Sequence, residues 1–229
     1  MVRHIENEVK YYYDSHPTEE DLMGETAVHA ALVHYLVEVL TWMFKGQVCA
    51  IYENLNMYQT SGVYEYPLAP DVAVLKGIAY HFIRSWRVGK SGPAPQVIFE
   101  IASEETWAKD INEKPFKYAR MGVQEYFAYD PNEPPLPQSR MRRLFAWRRD
   151  LENGSMLEMK PGASGALWSE QLESWLVPEG AFLRLYDKSG QIRLTGVEAE
   201  AKRANAEMKR AQALADKLRS LGVDPDQLL

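Results

Sequence analysis

The sequence predicts an α/β fold, and three stretches of its 229 residues carry that prediction. An apolar strand runs through Val97, Ile98, Phe99 and Ile101, a charged helix-forming stretch follows, and a second apolar strand lies in VQEYFAYDP, residues 123–131. Strand, helix, strand in that order makes a crossover unit whose two strands are parallel and adjacent. The third stretch, Glu25 to Phe44, places apolar residues at Val28, Leu32, Leu36, Val39 or Leu40 and Met43, the recurrence of a core-facing helix.

Residues 1–24 are polar and aromatic, with a helix-capping pattern at Pro17-Thr18-Glu19-Glu20, and read as a short helix or arm. The helix that follows ends at Gly46. Extended segments are expected around Val48–Met57 and Ala69–Leu75, the second opening LAPDVAVL. Residues 76–95 read as a loop, and SGPAP punctuates its end. Past the Glu100 strand, Ser103 is placed to cap a helix with Glu104 and Glu105 in its first turn. That helix runs over Thr106–Met121 and stops at Gly122, and Pro115 inside it kinks or restarts it near Asn112–Lys114. From Arg140 to Leu194 the pattern is short strands with turns at Asn153-Gly154 and Ser189-Gly190, plus the amphipathic stretch SEQLESWL.

The tail differs in kind. Val197, Ala201, Ala204, Met208, Ala211, Ala215 and Leu218 follow steps of four and three, a heptad seam of about three repeats. Alanine at most seam positions makes a weak coiled coil, so the helix packs on its own body or pairs when that body dimerises. The expected organisation is an arm over 1–24, a main domain over 25–195 and this helix over 196–229.

Composition narrows the function classes. With 46% hydrophobic residues the chain is of the ordinary globular kind. A single cysteine, Cys49, excludes an internal disulfide framework and any zinc site built on cysteines, which suits a reducing cytoplasm. No apolar run reaches membrane-spanning length. The net charge of −6 argues against wholesale attraction to nucleic acid, although Arg140, Arg142, Arg143, Arg148 and Arg149 could form a local basic patch or simply a solvated strand face. No P-loop, dinucleotide-binding glycine loop or HExxH zinc motif is present.

Glu100 carries the chemical interest. A lone carboxylate in a strand apolar on both faces costs several kcal/mol unless it is paired or holds a cation. Asp71 opens the preceding strand, and two carboxylates on neighbouring strands with a backbone carbonyl could hold Mg2+ while leaving room for a substrate phosphate. Asp110 and Lys114, four apart, share a helix face, either as an exposed ion pair or as part of this site.

The string EIASEETWAKDINEKPFKYARMGVQEYFAYDP with the upstream PDVAV resembles the Uma two family of bacterial proteins described as restriction endonucleases, long catalogued as a domain of unknown function. The resemblance covers most of residues 20–195, and LGVDPDQLL resembles the tails of its members. It implies a PD-(D/E)XK nuclease: a restriction-endonuclease-like mixed β-sheet flanked by helices, with the heptad-patterned C-terminal helix appended. It implies that Asp71 and Glu100 are catalytic metal ligands for Mg2+ or Mn2+ and that DNA is the partner. Ala102 stands where the superfamily's usual lysine would be, so the resemblance moves that lysine to the next helix, as Lys114 or alternatively Lys117. Glu25 is a secondary candidate for a further acid, and His29 either lines the cleft or is a capping histidine. Asp110 and Tyr118 match the family pattern, Tyr118 as a site hydrogen-bonder or a core tyrosine. Ser103 is a cap rather than a nucleophile, having no triad partners. The expectation is a DNA endonuclease using water as nucleophile, as a possible homodimer paired through the C-terminal helix. The alternatives are an RNA or branched-substrate nuclease, or an inactive assembly protein that works through that helix.

Overall fold

The structure, a computed structural model, describes residues 26–59, 66–162 and 164–224, so the predicted arm and Glu25 lie outside the described residues. Two compact units make up the chain, residues 1–193 and 194–229.

The first unit is built on a six-stranded sheet. Its strands are β1 (Cys49–Glu53), β3 (Val72–Lys76), β5 (Val97–Ile101), β6 (Glu125–Tyr129), β7 (Leu144–Arg149) and β8 (Met156–Glu158), side by side in that order. Only β5 and β6 are parallel, and the other neighbours are antiparallel, so the sheet is mixed. The parallel pair is the crossover that the sequence predicts.

Both faces of the sheet are buried, which is why its central strands read as continuous apolar runs rather than alternating ones. Val72, Val74, Val97, Phe99 and Ile101 face helix α1 (Ala27–Met43), together with leucines of a second sheet formed by β9 (Leu167–Ser169), β10 (Ser174–Glu179) and β11 (Phe182–Tyr186). Ala73, Leu75, Ile98, Tyr126, Ala128 and Trp147 face the opposite layer of Trp107, Tyr118 and Trp86. SEQLESWL holds the end of β9, the turn over residues 170–173 with Glu173 at φ +46°, and the start of β10.

Helix α1 starts at Thr26, whose hydroxyl accepts from the His29 N–H at 3.2 Å. The helix across the crossover is two helices: α2 (Trp107–Asn112) and α3 (Lys114–Met121), parted at Glu113 with Pro115 in the first turn of the second. A proline is harmless there because the first helical N–H groups have no intrahelical acceptor. Ser103 caps the turn before α2 rather than α2 itself: its Oγ accepts from Thr106 N–H at 3.2 Å. Gly122 closes α3 at φ +95°, where a side chain would be strained.

The segment 76–95, expected to be a loop, contains β4 (Trp86–Arg87), which pairs in parallel with β2 (Met57–Tyr58). Two residues are too few to show a strand period. Likewise the single extended segment expected over Val48–Met57 is broken after β1, where Asn54 takes φ +48°.

The arginine patch is largely consumed by the fold. Arg142 pairs with Glu158 and lies over the Phe145 ring, Arg143 pairs with Glu133 at 2.6 Å, Arg148 bonds Glu125 at 2.9 Å and Arg149 donates to the Ala119 carbonyl.

The second unit holds α4 (Gly196–Ser220), which starts with a full capping box: Thr195 Oγ1 accepts from Glu198 N–H at 3.2 Å, and Thr195 N–H donates to Glu198 Oε2 at 2.8 Å. On it the seam residues Val197 and Met208 are exposed. No helix among the described residues is long and apolar enough to cross a membrane.

Candidate active site

Glu100 sits on the face of β5 that looks toward α2 and α3, in register with Ala128 of β6. Val72 pairs with Phe99, so continuing the antiparallel register by one residue sets Asp71 opposite Glu100 on the same face. Residues so opposed have Cβ atoms about 5 Å apart. The Ile101 N–H donates to Asp71 Oδ2 at 2.5 Å, fastening Asp71 to the strand that bears Glu100. Both acids are buried.

The crossover helices bring the remaining groups. Lys114 Nζ lies 2.8 Å from Glu100 Oε2 and 2.7 Å from Asp110 Oδ1, so one ammonium bridges two buried carboxylates. Thr106 Oγ1 donates to Asp110 Oδ2 at 2.8 Å, and the Tyr118 hydroxyl donates to Glu100 Oε1 at 2.7 Å. The Tyr126 hydroxyl donates to the Asp110 carbonyl at 2.8 Å, supplying a partner at the end of α2 where the chain breaks before Pro115. His29 Nε2 from α1 stands 3.3 Å from Asp71 Oδ1.

The structure therefore gathers Asp71, Glu100, Lys114, Asp110, Tyr118 and His29 into one cluster. It does not gather Lys117, which is exposed and pairs with Glu113 at 3.1 Å. The Asp110–Lys114 pair is no surface pair, since Asp110 is wholly buried. The proline after Lys114 marks the start of α3, whose first turn aims the lysine back at the sheet.

Burial dominates the electrostatics. It raises the Glu100 carboxyl to about 8, against the pull of Lys114 and with a push from Asp110 and Asp71. Asp110 is raised for the same first reason. Burial works against the Lys114 charge as well, but Glu100 and Asp110 outweigh it and hold the lysine above its ordinary value. Tyr118, buried beside Glu100, is held well above the usual tyrosine range and remains a hydrogen-bond donor.

Three carboxylates meet one ammonium in the cluster, and once all three are ionised their negative charges outnumber it. A divalent cation would balance them. Among the described residues no group of three or more His, Cys, Asp and Glu forms a ready metal cage. The donors on hand suit Mg2+ instead, which binds through one or two carboxylates and fills its remaining positions with water and phosphate oxygens. Asp71 and Glu100 fit that mode, each oxygen keeping a lone pair beyond its protein contact.

Two further buried acids are absent from the sequence-based candidates, and both serve the fold. Glu125 bonds Arg148, the Ser169 hydroxyl and the Glu170 and Gln171 N–H groups, pinning the β9–β10 turn to the main sheet. Asp130 accepts from the N–H groups of Asn132 and Leu136 and closes the turn after β6. The donors around them, chiefly backbone N–H groups and an arginine, mark them as structural. In the sequence, Asp130-Pro131-Asn132 is a visible turn signal, whereas Glu125 gives none.

A family model described as "Putative restriction endonuclease" matches residues 3–177, which includes every residue of this cluster. The chain belongs to the Uma2 family. A solved structure, of a putative nuclease belonging to DUF820 from Anabaena variabilis ATCC 29413, shares 16% identity over 66% of this chain and 76% of its own, with a TM-score of 0.45. No curated protein matches the chain. Membership in Uma2 supports a nuclease and rests on the family match alone.

Proposed function

We propose that this Uma2 protein is a metal-dependent endonuclease that hydrolyses phosphodiester bonds in DNA. The observation that carries the proposal is the facing pair Asp71 and Glu100 with Lys114 set against the second of them, in a cluster of three acids and one lysine.

Asp71 and Glu100 would hold Mg2+ or Mn2+. Such an ion, when bound, lowers the pKa of a coordinated water and neutralises phosphate charge. The chain's own groups do the rest. Lys114 offers a fixed positive charge to the phosphoryl oxygens as negative charge builds on them, a form of stabilisation that costs no reorganisation. Asp110, anchored by Thr106, holds that ammonium in place. Tyr118 fixes the rotamer of Glu100, and His29 with the Ile101 N–H fixes Asp71. The attacking group is water, without a covalent intermediate, as in metal-assisted hydrolysis.

Supercoiled plasmid incubated with the full chain and Mg2+ or Mn2+ tests this. Nicked or linear product is expected from wild type and none from Asp71→Ala or Glu100→Ala. A wild type that neither cuts nor binds metal through these carboxylates would sink the proposal.

A further inference from the structure

The connection from β3 to β5 holds a feature that the cleavage site does not use. From Val72 to Phe99 the chain carries Lys76, Arg84, Arg87 and Lys90 and no aspartate or glutamate. Lys76 is held by the Gln171 carbonyl and Arg87 is buried over the Tyr58 ring, which leaves Arg84 and Lys90 exposed. Set among them are Tyr80, His81, Phe82 and Trp86. Trp86 is the anchor: it is wholly buried, and its indole N–H donates to the Pro93 carbonyl at 2.9 Å. Gly92 is required beneath it, because a Cβ there would come within 2.5 Å of the indole ring.

From that anchor the rings step outward. Tyr52 lies 6.2 Å from Trp86, Tyr80 lies 5.1 Å from Tyr52 at a tilt of 31°, and Phe82 lies 5.8 Å from Tyr80, edge on. Exposure rises along the series from 7% at Tyr52 to 56% at Tyr80 and 95% at Phe82. The Tyr52 hydroxyl donates to the His81 carbonyl at 2.9 Å and holds the loop to the sheet. Tyr52, Tyr80 and Phe82 line a cleft of about 750 Å³ beside β1, with Arg84 and one acid, Glu53, at its wall. The cleft adjoins the cluster: Tyr52 is in register with Ala73, two residues along the same sheet face from Asp71, and the Asn54 N–H donates to the Asp71 carbonyl at 3.3 Å.

Exposed aromatic faces interleaved with cations are what an unpaired strand binds, bases on the rings and phosphates on the charges, with little regard to sequence. A duplex keeps its base faces stacked and cannot use them. We infer that Tyr80 and Phe82, backed by Tyr52 and flanked by Arg84, form a stacking platform for nucleobases of an unpaired DNA strand beside the cleavage site. The inference rests on the nuclease proposal for the identity of its ligand, and it narrows the substrate class to single-stranded, frayed or flapped DNA.

Binding is measured on the full chain in EDTA, so that cleavage does not enter. An oligothymidylate of twelve residues with one 2-aminopurine reports affinity by anisotropy and stacking by fluorescence quenching, and a blunt duplex of the same length is the control. Phe82→Ala and Tyr80→Ala are each expected to weaken single-strand binding about 5- to 100-fold and to relieve the quenching, with duplex binding unchanged. Arg84→Ala is expected to lower the slope of log affinity against log salt by about 0.7. At 95% exposure Phe82 contributes little to folding, and an unchanged melting temperature confirms an intact variant. Wild-type affinity and quenching in both aromatic variants would overturn the inference, as would tighter binding to the duplex or a wild-type dimer that Phe82→Ala dissociates. A plasmid-cutting protein whose binding ignores Phe82 refutes the platform alone. A protein that binds through Phe82 but never cuts with Mg2+ refutes the nuclease alone.

Discussion

Replacing Lys114 by methionine keeps the aliphatic stem and removes only the charge that bridges Glu100 and Asp110. Removing one partner of a buried ion pair costs about 3–5 kcal/mol when the other stays charged. Whether it stays charged depends on pH. Burial pushes the Glu100 carboxyl up to about 8 in the folded protein, from an ordinary value of 4.5. Between those values the folded state binds a proton that the unfolded state does not, so this carboxyl lowers stability as pH rises, by at most about 1.4 kcal/mol per unit. At pH 6 Glu100 is already neutral, and Lys114→Met then strands chiefly Asp110, at a cost of about 1–2 kcal/mol. At pH 9 it strands two carboxylates and the full 3–5 kcal/mol applies. Thermal unfolding followed by tryptophan fluorescence should show the variant about 3–6 °C below wild type at pH 6 and about 8–15 °C below at pH 9. An equal deficit at both pH values would refute the assignment of Glu100 and Lys114 to one coupled buried pair.

Metal binding follows the same proton. Because Mg2+ takes the carboxylate form, its calorimetric affinity should rise with pH up to about 8 and level off above, where Glu100 is already ionised, and a flat profile would count against Glu100 as a ligand. Lys117→Ala should cut plasmid like wild type while Lys114→Ala loses cutting at least a hundredfold, and the reverse pattern would move the catalytic lysine to the exposed pair with Glu113. Glu125→Ala should destabilise by about 2–4 kcal/mol in urea titration, since it takes the acceptor from the Arg148 Nε and from three turn donors, while Arg148 keeps the Trp168 carbonyl, yet leave Mg2+ affinity unchanged.

Much of this site was legible in the sequence because its members break local rules. Glu100 is a charge in an all-apolar strand, and Pro115 interrupts a helix pattern just after Lys114. Both anomalies led to the residues that meet in space. The role of Asp110 was less visible, because an acid four residues before a lysine looks the same on a solvated helix as in a core. Only the packing of α2 against the sheet separates the two. Glu125 lay deeper still: its partners Arg148 and Ser169 are 23 and 44 residues away, and no local pattern records such a meeting. The β2–β4 pair was missed for want of length, and with it the anchoring of Trp86 and the exposed rings beyond.

Under the proposed assignment, a lysine on the helix instead of the strand shapes how the protein is born. In a chain that keeps acid and lysine two residues apart, a single strand already carries half of its chemistry. Here Glu100 and Lys114 meet only after β5 has joined the sheet and α3 has folded back across it, and Asp71 arrives by a separate antiparallel pairing. A chain emerging from the ribosome, a proteolytic fragment or a partly melted copy therefore holds the acids without the aligned cation. Under the proposed assignment competence arrives with the native state as a whole, and the same contacts that close the crossover act as a safety catch.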